Sequence, residues 1–305
     1  MRCIFLYNPM SGKEALINKL DFIKSELEKK FDEVVIYSTK SAEDTIERAK
    51  QSCYEFDAII FSGGDGTFND VACGVAAQPV RPVLGYIPSG TTNDIARNLK
   101  IPRNLHGALK TILEGETVFH DVGKINDRFF MYVVALGTFT GVSYRTTHDA
   151  KKILGRLAYA FDGLKEIQNP VLAQIRLKTE TADQTIDTPL VLVLNSISVG
   201  GLPFNKNGHL NDGRFDILVV KKGAYKGILN IAKMFILGLL GLKRSHVTYH
   251  FKASKFTIET EGEPIWCIDG EAGPTGSVTI ENYHDYLEIY IPKKRNKQTK
   301  SRNFQ

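Results

Sequence analysis

The chain has 305 residues, 43% of them apolar, and 39 Lys and Arg against 34 Asp and Glu leave a formal net charge of +5. It is long enough to bury cores in two domains of ordinary size. Its four cysteines, at 3, 53, 73 and 267, have neither paired metal spacing nor the density of a disulfide framework, which excludes a cysteine-held metal scaffold and makes a reducing compartment the default.

Taken in chain order, Met1-Arg-Cys-Ile-Phe-Leu-Tyr reads as a first strand, interrupted by Asn8-Pro9 too soon to be a secretory signal. Leu16, Leu20, Ile23 and Leu27 follow at helical spacing. Val34–Ser38 reads as a strand, Thr45–Ser52 as a helix and Ala58–Phe61 as a third strand. That strand runs into Phe61-Ser-Gly-Gly-Asp-Gly-Thr-Phe-Asn-Asp70, where three glycines, two carboxylates and a hydroxyl meet the start of a helix expected near Thr67. Glycines permit close backbone approach, and a helix N-terminus attracts anions, so this is a polyphosphate-binding pattern. A bare carboxylate repels phosphate, so Asp65 calls for a metal ion or a structural hydrogen bond. Val83–Ile87 precedes a second such loop, Ile87-Pro-Ser-Gly-Thr-Thr-Asn-Asp-Ile-Ala-Arg97, and Asn104–Leu113 reads as a helix. Strands alternating with helices imply a parallel sheet with its ligand beyond the carboxyl ends of the strands.

From about residue 117 the pattern changes to strand candidates joined by turns: Val118–Ile125, Phe129–Leu136, Ala173–Thr179, Leu190–Ser196, Phe215–Val220, Phe256–Thr260 and Leu287–Ile291. Helical insertions are expected near 149–167 and 223–241. The fold class expected is therefore α/β plus β: a doubly wound α/β domain over 1–120, a β-sandwich over 121–292, a site in the cleft between them, and a basic tail over 293–305. Ile228–Leu242 is the most apolar helix candidate, yet about fifteen residues with Lys233 inside fall short of the roughly twenty a spanning helix needs. It is read as a packing helix, with an exposed apolar edge against a bilayer as the alternative. The stretch Lys293–Arg302 carries six positive charges and no negative one; it is a solvated terminus or an attachment to anionic lipid at roughly 1 kcal/mol per basic residue.

Two exclusions follow from spacing. No Gly-x-x-x-x-Gly-Lys-Ser/Thr stretch exists, and Gly64-Asp-Gly-Thr-Phe-Asn69 does not complete a dinucleotide fingerprint because its sixth position is Asn. The two glycine loops, with Asn8-Pro-Met-Ser-Gly12 and Ile268-Asp-Gly-Glu271, give the chain a resemblance to the diacylglycerol kinase catalytic-domain family, in particular its bacterial soluble lipid kinases, from about residue 2 to about 291.

The resemblance implies a two-domain fold whose C-terminal end returns to the first domain, and ATP-dependent transfer of a phosphoryl group to a lipid hydroxyl, most simply that of diacylglycerol. It implies that Asn8, Pro9, Met10, Ser11, Gly12, Thr39, Gly64, Asp65, Gly66, Thr67, Phe68, Asn69, Asp70 and Thr91 contact ATP. Asp65 and Asp94 would join an acidic network ordering Mg²⁺, helix caps being the rival reading for either. Asp212, with carbonyls near His209 and Arg214, would hold a structural Mg²⁺, an ordinary Asp-Gly turn being the alternative. Glu271 is favoured as proton acceptor from the lipid hydroxyl, with Asp269 close behind. The expected partner is a lipid at the inner face of the membrane, met by a cytoplasmic, peripheral protein; nucleic acid is not expected, and a homodimer is left open. A NAD kinase-like or other small-molecule kinase, and a nucleotide-binding regulator without turnover, are the competing readings.

Overall fold

The computed structural model describes residues 1–9, 16–137, 172–197, 205, 207–223, 228–242 and 245–293. In the first part, β1 (Arg2–Tyr7), β2 (Glu33–Ser38), β3 (Ala58–Gly63) and β4 (Val83–Pro88) lie parallel in the order β2-β1-β3-β4. Cys3 to Leu6 and Ala58 to Gly63 are buried at every position. They read as continuous apolar runs because a parallel sheet is covered on both faces. Between them run α1 (Leu20–Leu27), α2 (Ala42–Ser52), α3 (Asp65–Ala76), α4 (Asp94–Asn98) and α5 (Leu105–Glu114).

The helix starts follow capping chemistry more closely than apolar spacing. A 3₁₀ turn over Ile17–Lys19 precedes α1. Ser41 Oγ accepts the Asp44 N–H at 3.2 Å, so α2 begins three residues before Thr45. Asn104 does the same for the N–H of Gly107 at 2.8 Å and starts α5 as expected. Helices α2 and α3 approach closely at Gly74, where a methyl group would stand 2.6 Å from the Ile46 carbonyl oxygen.

The second part contributes β5 (Glu116–Ile125), β6 (Arg128–Phe130), β7 (Val133–Gly137), β8 (Ala173–Lys178), β9 (Asp183–Thr188), β10 (Leu190–Leu194) and β11 (Phe215–Val220). After α6 (Ile228–Leu240) come β12 (Thr248–Ala253), β13 (Lys255–Thr260), β14 (Ile265–Ile268), β15 (Glu271–Thr275) and β16 (Val278–Ile291). The fourteen-residue β16 runs antiparallel to β5, bulging between Tyr283 and Leu287, and its last turn of chain lies parallel to β4 at Ile289 and Leu84. Its first residues pair with β13. The parallel sheet therefore continues without a break into β16-β13-β8-β9, making ten strands with β5 and β6. The C-terminal end does return to the first domain.

A second, six-stranded antiparallel sheet has the order β12-β11-β10-β7-β14-β15. Its inner face packs on the antiparallel part of the first sheet: Phe130, Phe256, Ile175 and Ile280 meet Phe215, Val193, Val134 and Trp266 in one buried cluster. This is the α/β plus β architecture expected. The single strand expected over Phe129–Leu136 instead splits into β6 and β7, one in each sheet, so the chain crosses the sandwich at Met131-Tyr132. The 149–167 insertion lies outside the described residues, and the 223–241 insertion is α6.

Trp266 is fully buried between the sheets, with its indole N–H donating to the Gly276 carbonyl at 2.8 Å. Trp266→Ala is expected to lower stability by about 3–5 kcal/mol, read from the shift of the urea unfolding midpoint.

Candidate active site

Both glycine loops leave the carboxyl ends of parallel strands, β3 and β4. Helix α3 begins at Asp65, two residues before the expected Thr67, because Gly64 takes the cap position. The loops are locked to each other. The Ser89 N–H donates to the Gly63 carbonyl at 2.8 Å, and the buried Tyr86 hydroxyl lies 3.1 Å from that carbonyl and 3.2 Å from Asn93 Oδ1. Asn93, in the left-handed region at φ 51°, donates from Nδ2 to the Gly90 carbonyl at 2.7 Å. A methyl group at Gly90 would sit 2.5 Å from Gly64 Cα, so the loops touch backbone to backbone and only glycine fits.

Asp65 reaches across this contact and accepts the Ile95 N–H at 3.3 Å. Burial raises its carboxyl above the ordinary value, the backbone N–H groups of Asp94, Ile95 and Asn93 oppose that rise, and the neighbouring Asp94 charge adds to it. Asp65 thus caps α4, as the rival reading held, while remaining a carboxylate in need of positive charge. Asp94 is buried and pairs with Arg97 at 3.6 Å.

Around these loops, Asn8 and Pro9 follow β1, and Met10, Ser11 and Gly12 lie outside the described residues. Thr39 is buried at the end of β2, its N–H on the Tyr7 carbonyl at 2.8 Å. Gly66 is exposed, Thr67 half-buried at the start of α3. The Phe68 side chain turns into the core, with ring centroids 5.4 Å from Phe61 and 5.2 Å from Tyr86. Thr91 is exposed, and its carbonyl accepts from Arg103 at 2.9 Å. The sequence reading had not singled out Arg103, an isolated arginine in a Pro-Arg-Asn turn; only the fold brings its guanidinium to the loop.

The far wall is the turn joining β14 and β15. Asp269 (φ 49°) and Gly270 (φ 95°) turn the chain so sharply that Asp269 and Glu271 diverge. The Asp269 carboxylate accepts three backbone N–H groups, from Met131 at 2.7 Å, Val133 at 2.8 Å and Tyr132 at 3.1 Å. Burial nevertheless pushes its pKa up to about 6. Glu271 is exposed and pairs with Arg128 at 2.8 Å, while the same guanidinium donates to the Ala272 carbonyl at 2.8 Å.

Opposite stands α3. Asn69 and Asp70 are half-buried on it, and one turn on, the Cys73 thiol meets the Phe129 carbonyl at 3.3 Å, fixing the helix against β6. Burial, then the Glu271 charge, pushes Asp70 up to about 7. Tyr132 completes the ring: its hydroxyl donates to the Asp269 carbonyl at 3.3 Å. Burial, followed by the charges of Asp269, Asp65 and Asp94, raises it well above the usual phenol range. All the acidic candidates except Asp212 therefore gather at one cleft. Asp65, Asp70 and Asp269 are all raised chiefly by burial, and this oxygen-rich, charge-hungry set suits a hard divalent cation.

The 209–214 segment lies elsewhere. Asp212 accepts the Arg214 N–H at 3.2 Å and pairs with Lys252 at 3.2 Å, while His209 and Arg214 are exposed. As placed, Asp212 is already neutralised by an ammonium, so a cation there must displace Lys252. Beside it, the buried Asp121 accepts the N–H groups of Gly213 at 2.7 Å and Asp285 at 2.9 Å and meets His284 Nδ1 at 2.9 Å. Asp121, His284 and Asp285 offer ligand atoms within 4.8 Å of one another. The hydrogen bond to Asp121 raises the His284 pKa.

Parallel strands ending in two mutually locked glycine loops, faced by an acidic β-turn from a second sheet, define a phosphoryl-transfer class of enzyme. The family profile described as diacylglycerol kinase catalytic domain matches residues 2–125. A diacylglycerol kinase of Staphylococcus epidermidis is 33% identical over 302 residues, covering 96% of this chain and 92% of that protein. One from Staphylococcus carnosus is 31% identical over 300 residues, covering 96% and 95%. The crystal structure of a diacylglycerol kinase from Bacillus anthracis superposes with a TM-score of 0.77 at 25% identity, over 95% of this chain and 96% of that one. A second Bacillus anthracis structure gives 0.84 at 28% identity, over 95% of each chain. The chain belongs to the diacylglycerol kinase catalytic-domain family.

The raised Asp70 has a consequence for stability. Between its ordinary value of 3.8 and about 7, the folded protein holds a proton that the unfolded chain has released. Its contribution is complete below the lower value and is lost as pH rises through the upper one. Asp70→Asn is therefore expected to raise the thermal midpoint relative to the parent at about pH 8 and much less at about pH 4.5, by differential scanning calorimetry.

Proposed function

We propose that the protein is an ATP- and Mg²⁺-dependent lipid kinase that transfers the γ-phosphoryl group to the hydroxyl of diacylglycerol, giving phosphatidic acid. The observation that carries this reading is the convergence of Asp65, Asp94, Asp70 and Glu271 on one cleft whose floor is two backbone-to-backbone glycine loops. Residues 1–120 supply the nucleotide side and 121–292 the lipid side. The names carried by the relatives supply the lipid, which the residues alone leave open.

Mg²⁺, when bound, neutralises phosphate charge, and Asp65 and Asp94 are the residues to hold it, directly or through water. The N–H groups at the start of α3, with the Asn8–Gly12 stretch and Thr91, receive phosphate oxygens. Glu271, on the solvent-open side of the turn, takes the proton of the attacking hydroxyl. Asp269 is too fully occupied by three N–H groups to do so; it is a positioning residue that fixes Glu271 opposite α3. Asp70 and Arg128 bracket Glu271, Arg128 pairing with it at 2.8 Å. Asp212 with the carbonyls near His209 and Arg214 is the proposed structural Mg²⁺ site. The protein acts as a cytoplasmic enzyme peripheral to the membrane. Among the described residues, no helix is long and apolar enough to cross it.

Glu271→Gln is expected to slow lipid phosphorylation by roughly 10²–10⁴-fold with ATP affinity little changed, because the amide keeps size and polarity but accepts no proton. Asp65→Ala is expected to abolish turnover with the fold intact. Radiolabelled ATP with dispersed diacylglycerol, beside equilibrium nucleotide binding, checks both. Normal transfer by Glu271→Gln would give its role to another group. Soluble acceptors phosphorylated in place of lipid would favour a NAD kinase-like activity.

A further inference from the structure

From Ile217 to Ile258 the chain contains no Asp or Glu and eight Lys or Arg. At the centre of this segment, α6 lies on the outer face of the antiparallel sheet. Met234 and Leu237 pack on Leu190, Leu194, Leu218, Val220 and Val247, in a layer that continues to Tyr132 and Val133 at the cleft. Among the described residues, the opposite face of the same helix has no such cover. Lys233 is exposed, and Ile236 and Leu240 are 58% and 60% exposed at positions three and seven residues further on, which puts the three on one side. Leu242 follows, 54% exposed.

Cations and an amphipathic ring border this apolar ridge. The Lys221 ammonium donates to the Ser245 carbonyl at 2.7 Å and lies 4.6 Å from the ring centre of Tyr249, itself 41% exposed. Beside the helix end opens a cavity of about 580 Å³ whose wall includes Lys221, Leu242, Tyr249, His250 and Lys252, together with Asp216, which pairs with His250 at 2.7 Å and with Lys252 at 3.6 Å. Apolar side chains projecting from a lysine-bearing surface, whose nearby acids Asp187 and Asp216 are already paired with Lys222 and with His250 and Lys252, are complementary to one kind of partner: a bilayer whose headgroups are anionic and whose interior is hydrocarbon.

We infer that the exposed face of α6, with Lys221, Tyr249 and the adjoining cavity, is the surface by which the protein docks on an anionic membrane. Ile236, Leu240 and Leu242 enter the interface, and Lys221 and Lys233 meet lipid phosphates. The inference rests on the lipid-kinase reading and adds to it which face meets the membrane. Because the buried side of the same helix belongs to the layer that ends at Tyr132 and Val133, docking there sets the cleft against the surface that holds the substrate.

The test uses the full chain and vesicles of equal parts phosphatidylglycerol and phosphatidylcholine. The Ile236→Asp, Leu240→Asp double variant is expected to lose at least about tenfold in vesicle affinity by sedimentation. Val80→Asp, at another exposed apolar site (51% exposed), is expected to change nothing. Lys221→Gln with Lys233→Gln is expected to weaken binding several-fold at low salt and little at high salt. The double variant is expected to keep its activity on a short-chain diacylglycerol in detergent. Leu240→Trp gives a readout that does not depend on loss, since the one native tryptophan is buried: its emission is expected to shift to the blue on anionic vesicles and to be quenched by brominated lipid. Unchanged vesicle binding of the double variant, or an unshifted Leu240→Trp on vesicles that retain the protein, would overturn the inference. Binding that disappears only when residues 294–305 are deleted would assign docking to the tail instead. A dimer that the double variant converts to monomer, with vesicle binding intact, would assign the face to a second copy of the chain. Failure of the kinase reading looks different: vesicle binding through α6 persists and no lipid is labelled.

Discussion

The structure turns on one carboxylate holding three consecutive backbone N–H groups. Asp269 accepts from Met131, Tyr132 and Val133, the residues at which the chain leaves one sheet and enters the other. A strand that crosses between sheets must give up its ladder partners, and buried N–H groups without acceptors cost about 1–3 kcal/mol each. Asp269 supplies those acceptors from a turn of the second sheet. The same turn sends Glu271 the other way, toward Arg128 and Asp70. One side chain thus permits the crossing, joins β7 to β14, and aims the proposed base.

The nucleotide side depends on a similar economy of backbone. Gly64 and Gly90 approach each other so closely that a methyl group at Gly90 has no room, and Tyr86 and Asn93 hold the contact from below. Two loops from different strands become one surface. Asp65 spans the junction and ties the start of α3 to the start of α4. Its two readings, cap and metal-ordering carboxylate, are compatible, because a carboxylate capping with one oxygen still carries its charge. Burial raises Asp65 and Asp70 together, because desolvation penalises the charged form of each.

Much of this was legible in the chain itself. The parallel strands could be read because burial on both faces makes them continuous apolar runs, and the glycine loops because close backbone approach demands glycine. The strands at Asp183–Thr188, Thr248–Ala253 and Glu271–Thr275 were not legible. They are short, polar on one face or rich in Gly and Pro, and are held by neighbours far away in sequence. The break after Phe130 was equally hidden, since Phe129–Leu136 is apolar throughout and its interruption is dictated by a carboxylate 138 residues from Met131. Arg103, Arg128 and Tyr132 were missed for the same reason: isolated residues in unremarkable contexts, they gain meaning only from what the fold sets beside them. Phe68 was expected among the ATP contacts; on α3 its ring turns into the core, against Phe61 and Tyr86.

Charge is distributed along the chain in a way that the net value conceals. The cleft gathers acids from α3, α4 and the β14–β15 turn, with Arg128 and Arg97 as partial counter-charges, and leaves a deficit that suits a divalent cation on a polyphosphate. The segment from Ile217 to Ile258, which carries α6, has cations and no acids. On the proposed reading, metal-bound phosphate in one place and an anionic surface in another do not allow these two characters to mix, because acids near the bilayer would repel it and lysines in the cleft would compete with the metal. The antiparallel sheet keeps them apart, presenting the Asp269 turn at one end and α6 on its outer face, and the apolar layer running from Met234 to Tyr132 is the rigid connection between the two.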